Sequence, residues 1–269
     1  MRVGFCQYEP VFGEVAENLD RVSELADPIR ADLLVLPELF ATGYQFRDRD
    51  ESAALAEEYD GATISWAKKT ARKTGIAICG GFAEKAGEKI YNAAFFASPD
   101  ETVHIYRKIH LFDREKLTFD PGDRRFEVFD YRGVKVGMMI CFDWFFPESM
   151  RTLALLGAQI VCHPSNLVLA WCQDAMRTRC LENRVFAVTA NRIGTEDRVP
   201  NGSALAFTGQ SQITATRGEI LHRAAADESR CVVVEIDPAQ ALSKQATARN
   251  DLFADRRPEF YTTLTEGKP

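Results

Sequence analysis

The chain has 269 residues, a formal net charge of −6 and a hydrophobic fraction of 46%. This is ordinary globular composition, and the lack of a basic block argues against a nucleic-acid partner, because phosphate binding needs clustered Lys and Arg. No run approaches the roughly 20 apolar residues of a membrane span, and the first residues lack the apolar core of a signal peptide. We therefore expect a cytoplasmic protein that binds neither nucleic acid nor a membrane.

Apolar periodicity predicts strands and helices that alternate along the chain. In chain order they are a strand at 2–8, a helix at 14–30, a strand at 33–36, a helix at 51–74, strands at 76–83, 91–97 and 102–106, an irregular segment at 107–126, a strand at 134–140, a helix at 147–156, a strand at 159–163, a helix at 173–184, a strand at 185–190 and three or four short strands in 203–236. The tail from Asp237 is expected to hold a short helix and a polar, aromatic end.

This alternation, without a low-complexity linker, predicts one α/β domain over residues 1–269 with helices on both sheet faces. Two packed sheets are expected, because roughly a dozen strands are many for one open sheet.

The seven cysteines are odd in number and contain no CxxC pair, and the four histidines do not match zinc-finger spacing. Several cysteines, such as Cys79 and Cys162, lie in apolar runs, where free cysteine packs as a small hydrophobic residue. We expect no disulfide framework and no metal site. The glycine pair Gly80 and Gly81 lacks the rest of a dinucleotide-binding fingerprint.

Polar or ionisable residues occur where three of the apolar strands end, which is where ligands of α/β proteins tend to bind. Glu38 follows one strand among apolar neighbours, and a carboxylate there is costly to bury unless it is paired. Lys108 follows another strand, with Glu115 shortly after it. Cys141 ends a third strand just before a turn into a helix, where backbone N–H groups can stabilise negative charge on an accessible thiol.

Each residue alone has a structural alternative: a capping or salt-bridged glutamate, a surface lysine, a loop carboxylate or a buried cysteine. Together they form a coherent chemical set. A thiol nucleophile needs a base to remove its proton, and it needs positive charge or N–H donors where an oxyanion develops. Glu38 can supply the base and Lys108 the positive charge, with Cys141 as the nucleophile.

These residues lie in motifs through which the chain resembles the nitrilase superfamily, the carbon–nitrogen hydrolases. The motifs are LPELF at 36–40, YRKIHL at 106–111, PGD at 121–123 and ICFDWFFPE at 140–148, in the family's order and at its usual distances. The resemblance extends from the first strand to DRRPE at 255–259.

The resemblance implies a four-layer α-β-β-α sandwich over a single carbon–nitrogen hydrolase domain. It implies a catalytic triad of Glu38, Lys108 and Cys141, assisted by Glu115, and no metal or organic cofactor. It also implies a homodimer or higher homo-oligomer, with the tail at 237–269 contributing contacts.

The implied reaction is hydrolysis of a carbon–nitrogen bond in a small amide, nitrile or carbamoyl compound. The segment after Cys141 resembles aliphatic amidase and nitrilase-like members, so we expect an amidase that forms a thioester. Nitrilase and N-carbamoyl amine or amino acid amidohydrolase activities are the alternatives. The backbone N–H of Phe142 is expected to share the developing charge with Lys108. Tyr44 and Trp144 are expected in an aromatic substrate pocket, and Asn166 matches a position that often lines the family's pocket.

Three other interpretations stay open at this point. A papain-like hydrolase would pair Cys141 with His110 or His163 and would tolerate Lys108→Ala. A redox protein would use Cys141 as a peroxide sensor but needs a resolving cysteine that the sequence does not identify. A non-catalytic binding protein on the same fold is disfavoured by the intact Glu-Lys-Cys set.

Overall fold

A computed structural model describes residues 1–200 and 202–266. The strands in these ranges are β1 (Arg2–Gln7), β2 (Leu33–Val35), β3 (Ala77–Ala86), β4 (Lys89–Ala97), β5 (Val103–Arg107), β6 (Val128–Tyr131), β7 (Val134–Met138), β8 (Ile160–Pro164), β9 (Phe186–Ala190), β10 (Thr195–Glu196), β11 (Leu205–Ala206), β12 (Gln212–Thr214), β13 (Ile220–Arg223), β14 (Arg230–Glu235), β15 (Gln245–Thr247) and β16 (Asn250–Asp251). The helices of the same ranges are α1 (Val15–Ala26), α2 (Arg49–Leu55), α3 (Ala62–Thr74), α4 (Glu115–Thr118), α5 (Pro147–Leu155) and α6 (Cys172–Asn183).

Two six-stranded sheets run through the described part of the chain and pack face to face. The strand order is β14-β1-β2-β3-β4-β5 in the first sheet and β13-β12-β9-β8-β7-β6 in the second. Each sheet has a parallel centre, formed by β1, β2 and β3 or by β7, β8 and β9, and antiparallel strands at its edges. One apolar core fills the space between the sheets.

Helices α1 and α3 cover the outer face of the first sheet, and α5 and α6 cover the outer face of the second. Leu19 and Val22 lie about one turn apart on α1 and are buried together with Ile64 of α3. Burying each such side chain contributes about 1.5–3 kcal/mol. The sequence-predicted α-β-β-α sandwich is therefore confirmed.

The prediction of one helix over 51–74 is wrong, because the chain leaves the helix between α2 and α3. Glu57 pairs its backbone with the edge of β3, accepting from Lys85 N–H and donating to the carbonyl of Ala83, each at 2.8 Å. Its carboxylate then accepts the backbone N–H of Thr63 at 2.7 Å and begins α3. A tertiary contact thus overrides local helical periodicity.

The other predicted elements are found with shifted ends, the largest shift being at the helix at 14–30, which ends at Ala26. The sequence patterns do not predict the four-residue strand β6 or the four-residue helix α4, which lies within the segment at 107–126. Elements this short carry too few residues for their periodicity to be recognised.

One pair of cysteines differs from the expectation of free thiols. Cys6 of β1 and Cys231 of β14 lie directly opposite each other in the antiparallel ladder and form a disulfide. Across such a ladder, opposed side chains on one face lie within a few ångströms, so the strand register brings these cysteines together. The other cysteines of the described residues are free and buried.

The tail from Asp237 folds into one-turn 3-10 helices at Pro238–Ala241, Pro258–Phe260 and Thr262–Leu264 and the small β15–β16 ladder. Residues 267–269 of the predicted tail lie outside the described residues. None of the helices in the two described ranges combines the length and apolar character needed to cross a membrane.

Candidate active site

Glu38, Lys108 and Cys141 lie together at the ends of strands that belong to different sheets. Glu38 follows β2 and Lys108 follows β5, both in the first sheet, whereas Cys141 follows β7 in the second. All three side chains are buried. The carboxyl ends of these strands meet at one edge of the sandwich, as the sequence pattern predicts for a ligand site.

Lys108 is held between two carboxylates. Its Nζ lies 2.6 Å from Glu38 Oε1 and 2.7 Å from Glu115 Oε1. Glu115 is fixed in turn, because the Tyr44 hydroxyl donates to its Oε1 at 2.7 Å and the Phe112 N–H donates to its Oε2 at 3.1 Å. Two such partners strongly favour the charged form of a buried ammonium, so Lys108 keeps its positive charge inside the site.

Glu38 keeps one carboxylate oxygen without a partner. Oε1 accepts from Lys108 Nζ and from Asn92 Nδ2 at 2.7 Å. Oε2 is buried and has no hydrogen-bond partner among residues 1–200 and 202–266. A buried carboxylate oxygen in that state is ready to accept a proton from a donor that enters the site.

The buried charges shift the titration of the cluster. Burial raises the pKa of Glu38 to about 7, with Lys108 opposing the shift and Glu115 adding to it. Burial would lower the pKa of Lys108, but the charges of Glu115 and Glu38 outweigh it and raise that pKa above its usual value. Burial, and then the charge of Glu38, raises the pKa of the Cys141 thiol. The resting site therefore holds a protonated thiol beside a carboxylate poised to act as a base near neutral pH.

The backbone at Cys141 forms a tight elbow. Its φ is 38°, in the left-handed region that non-glycine residues rarely adopt, and strained backbone of this kind concentrates at functional sites. Cys141 begins a one-turn 3-10 helix at Cys141–Phe145. The first N–H groups of a helix have no intrahelical acceptor, which leaves the N–H of Phe142 available as a donor beside the thiol.

His163 holds the backbone of Cys141 in this conformation. Its Nε2 lies 2.9 Å from the carbonyl oxygen of Cys141, and its Nδ1 lies 3.1 Å from the Thr189 hydroxyl. A carbonyl only accepts, so Nε2 carries the proton and Nδ1 accepts from Thr189. Burial lowers the pKa of His163 to about 4, so its ring is neutral at neutral pH.

These contacts weigh against a papain-like pairing of Cys141 with histidine. His163 uses Nε2 on the Cys141 carbonyl rather than on the thiol. His110 bonds Asp143 Oδ1 through Nδ1 at 2.7 Å and stacks on Phe146. Both imidazoles therefore have structural partners.

The residues expected to bind substrate surround the thiol. Phe142, Trp144 and Asn166 line a small cavity at Cys141, together with Phe112. Asn166 also donates from Nδ2 to the backbone oxygen of Glu38 at 2.8 Å. Tyr44 lines a neighbouring cavity that Phe112 and Glu115 share.

Sequence reasoning missed three residues that hold this arrangement: Asn92, His163 as a support, and Gly81. A Cβ on Gly81 would lie 2.5 Å from Glu38 Cα, so only glycine lets β3 approach the backbone after β2 so closely. The available signal is a polar or glycine residue inside an otherwise apolar strand, as at Asn92 in β4. In the part of the chain that the structure describes, no cluster of His, Cys, Asp or Glu could hold a metal ion.

Comparison with known proteins agrees with this geometry. A family model described as carbon-nitrogen hydrolase matches residues 2–244. A protein named nitrilase from Pyrococcus abyssi is 44% identical over 97% of this chain and 99% of its own length. A protein named (R)-stereoselective amidase from a Pseudomonas species is 34% identical, covering 96% of this chain and 92% of its own. The crystal structure of a carbon-nitrogen hydrolase from Helicobacter pylori G27 has a TM-score of 0.89 and 25% identity, covering 99% of this chain and 98% of that one. The chain therefore belongs to the carbon–nitrogen hydrolase family and is an enzyme that hydrolyses carbon–nitrogen bonds.

Proposed function

We propose that this enzyme is an amidase that converts a small aliphatic amide to its acid and ammonia through a thioester on Cys141. The observation that carries the proposal is the buried Oε2 of Glu38, which lacks a partner in the described ranges and lies in one cluster with Lys108. A carboxylate oxygen of this kind can accept the thiol proton first and return it to the leaving amide nitrogen afterwards.

In the first half of the reaction, Glu38 accepts the Cys141 proton as the sulfur attacks the amide carbon. Lys108 and the Phe142 N–H stabilise the negative charge that develops on oxygen. The protonated Glu38 returns its proton to the leaving nitrogen, the C–N bond breaks, and ammonia departs from a thioester.

In the second half, Glu38 takes a proton from water, and the hydroxyl attacks the thioester carbon. The C–S bond breaks, the thiol regains its proton, and the acid is released. Glu115 does not react; it orients Lys108 through the 2.7 Å contact between Nζ and Oε1. Tyr44, Trp144 and Asn166 enclose the substrate.

The test is ammonia release from matched panels of aliphatic amides, the corresponding nitriles, and N-carbamoyl amines or amino acids. We expect release from the amides, none above background with Cys141→Ala, and a thioester adduct on Cys141 in acid-quenched wild-type protein. Equal ammonia release by Cys141→Ala would contradict the proposal. Binding of amides without turnover would instead favour a non-catalytic role.

A nitrilase is the second candidate, because the Pyrococcus abyssi relative carries that name. The same thiol could attack a nitrile carbon, and Lys108 would then face nitrogen. Release of ammonia from nitriles but not from amides would select this candidate, and release from the carbamoyl panel alone would select an amidohydrolase of that class.

We further propose that residues 1–269 act as one domain that forms a homodimer through its outer helices and tail. Leu155 and Leu156 at the end of α5, Leu181 of α6, and Phe260 and Leu264 of the tail are all exposed apolar residues. Burying them against a second copy would remove this apolar surface from water. Light scattering should give a dimer mass, and Leu156→Glu should shift it toward the monomer. We also propose a cytoplasmic location, which cell fractionation would test.

A further inference from the structure

A second cavity lies next to the small cavity at the thiol, and Phe112 lines both. The cavity at Cys141 has a volume of about 10 Å³, which is room for one small group. The second cavity has a volume of about 130 Å³. Tyr44, Glu115 and Ser203 are among the residues that line the larger cavity. A substrate longer than its reacting group can extend past Phe112 into this second cavity.

Arg114 lines this larger cavity, and its guanidinium makes few hydrogen bonds. Its Nη2 donates to the backbone oxygen of Arg47 at 3.0 Å. Its Nε is buried and makes no hydrogen bond to any of the described residues. An unpaired buried donor on a permanent cation is unfavourable, so the guanidinium would gain from an acceptor that the rest of the cavity does not supply.

The neighbouring arginines do not share this feature. Arg47 and Arg198 both pair with Glu51, and Arg192 pairs with Glu196. In the ranges 1–200 and 202–266, Arg114 is in no salt bridge, and its side chain bonds only the backbone oxygen of Arg47. The positive charge of Arg114 is therefore available to a ligand.

The other charged groups of the cavity do not compete for that role. Glu115 already bonds Lys108 and Tyr44. Asp113 lines the same cavity but is exposed to water, which screens its charge, whereas Arg114 is half-buried. The side-chain oxygen of Gln45 is also occupied, because it accepts a hydrogen bond from the backbone N–H of Arg198. The cavity therefore places a half-buried cation among lining residues that include the apolar Phe46, Val199 and Leu205.

We propose that Arg114 binds a carboxylate carried by the substrate, so that the preferred substrate is the monoamide of a short dicarboxylic acid. The inference rests on the proposed amidase reaction, because it assigns the end of the substrate that does not react. The amide carbon sits at Cys141, the chain passes Phe112, and the carboxylate meets the guanidinium, which recognises such groups through paired N–H donors.

The first arm of the test compares kcat/KM for succinamate, butyramide and 4-aminobutyramide, which share one chain length and differ in the charge at the far end. We expect wild-type enzyme to favour succinamate over butyramide by roughly tenfold to a hundredfold, the range of a charge-assisted hydrogen bond. Arg114→Gln should bring that ratio close to one. Lys116→Gln removes an equal charge from the exposed side of α4 and should keep the wild-type ratio.

The second arm measures binding of the same compounds to Cys141→Ala by calorimetry, with and without Arg114→Gln. Preferential binding of succinamate that depends on Arg114 supports the carboxylate site even if the wild-type enzyme releases no ammonia, and in that case the amidase reaction alone is wrong. Ammonia release from butyramide without a preference for succinamate in either arm overturns the carboxylate site and leaves the amidase intact. A preference for 4-aminobutyramide also overturns it, because Asp113 would then be the anchor.

Discussion

The side-chain amide of Asn92 donates a 2.7 Å hydrogen bond to Oε1 of Glu38. The same residue holds Lys108 through its backbone, since the Lys108 N–H donates to the Asn92 carbonyl at 2.8 Å. One residue of β4 therefore sets the positions of both the proposed base and the proposed positive charge.

Asn92→Ala should slow the enzyme and shift its pH dependence. The lost hydrogen bond favours the ionised form of Glu38, so its removal raises the pKa of that carboxyl further. We expect kcat/KM to fall by roughly tenfold to a hundredfold, as for loss of one hydrogen bond to a charged group. The midpoint of the pH–rate profile should move to higher pH. Asn183→Ala, which removes a buried asparagine from α6, should affect the melting temperature without moving this midpoint.

The pH–rate profile of the wild-type enzyme should rise through a midpoint near neutrality. Burial raises the pKa of Glu38 to about 7, and a general base acts only when it is unprotonated. The rate of hydrolysis should therefore be low below this pH and reach a plateau above it, with the midpoint belonging to the coupled cluster. A profile that is flat from pH 5 to 9 would contradict the assignment of the base.

Glu115→Gln provides a second check on the same titration. The charge of Glu115 contributes to the raised pKa of Glu38, so neutralising it should move the midpoint to lower pH, even though the rate itself falls. Measurement of kcat/KM across pH for this variant and for Asn92→Ala should give shifts of opposite sign. Shifts in the same direction would show that another group controls the profile.

The three proposed catalytic residues should behave as one unit. Glu38→Gln and Lys108→Ala should each lower kcat by at least roughly a hundredfold, the scale expected when a stabilising donor is removed. Adding Cys141→Ala to either should cost little more, because the reaction is already blocked. Circular dichroism should show retained secondary structure in each variant. Additive losses in the double variants would mean that the residues contribute to separate steps.

Gly81→Ala, a substitution in β3, should displace the backbone of Glu38 and so lower activity. The new Cβ would lie 2.5 Å from Glu38 Cα and 2.6 Å from Leu39 N, so the backbone must move. Overpacking of this kind costs about 1–3 kcal/mol of stability, and the displaced Glu38 should also lower kcat. Gly87→Ala is the control, because its Cβ meets nothing within 4 Å while its φ of 64° is unfavourable for alanine. That variant should lose some stability and keep its kcat/KM.

Much of this site can be predicted from sequence because its ionisable residues sit where apolar strands end. Glu38 and Cys141 stand out against apolar neighbours, and Lys108 directly follows a strand. Two packed sheets with helices on their outer faces follow from the alternation of strands and helices. Asn92 and Gly81 lie inside strands, where a local pattern shows them only as interruptions. Their partners are far away in sequence, as Asn92 is from Glu38, so their roles depend on strand order and register.

The same limit explains the errors in the fold. The break between α2 and α3 depends on pairing between Glu57 and the edge of β3, and the disulfide depends on Cys6 and Cys231 facing each other across β1 and β14. Neither contact can be recognised from the residues that neighbour it in sequence. Both are consequences of which strands become neighbours.

Because the two sheets each contribute residues to the site, the activity of the enzyme depends on how the two layers are aligned. Glu38 and Lys108 move with one layer and Cys141 with the other, and bonds such as the 2.8 Å contact between the Tyr106 hydroxyl and Asp143 hold the layers in line. A shift of one layer against the other by about an ångström would stop the reaction, although the backbone hydrogen bonds within each sheet stayed intact. Mild denaturant should then abolish turnover at concentrations that leave the circular dichroism spectrum unchanged. Mutations in the core between the sheets should lower the rate of hydrolysis even where they change the melting temperature little.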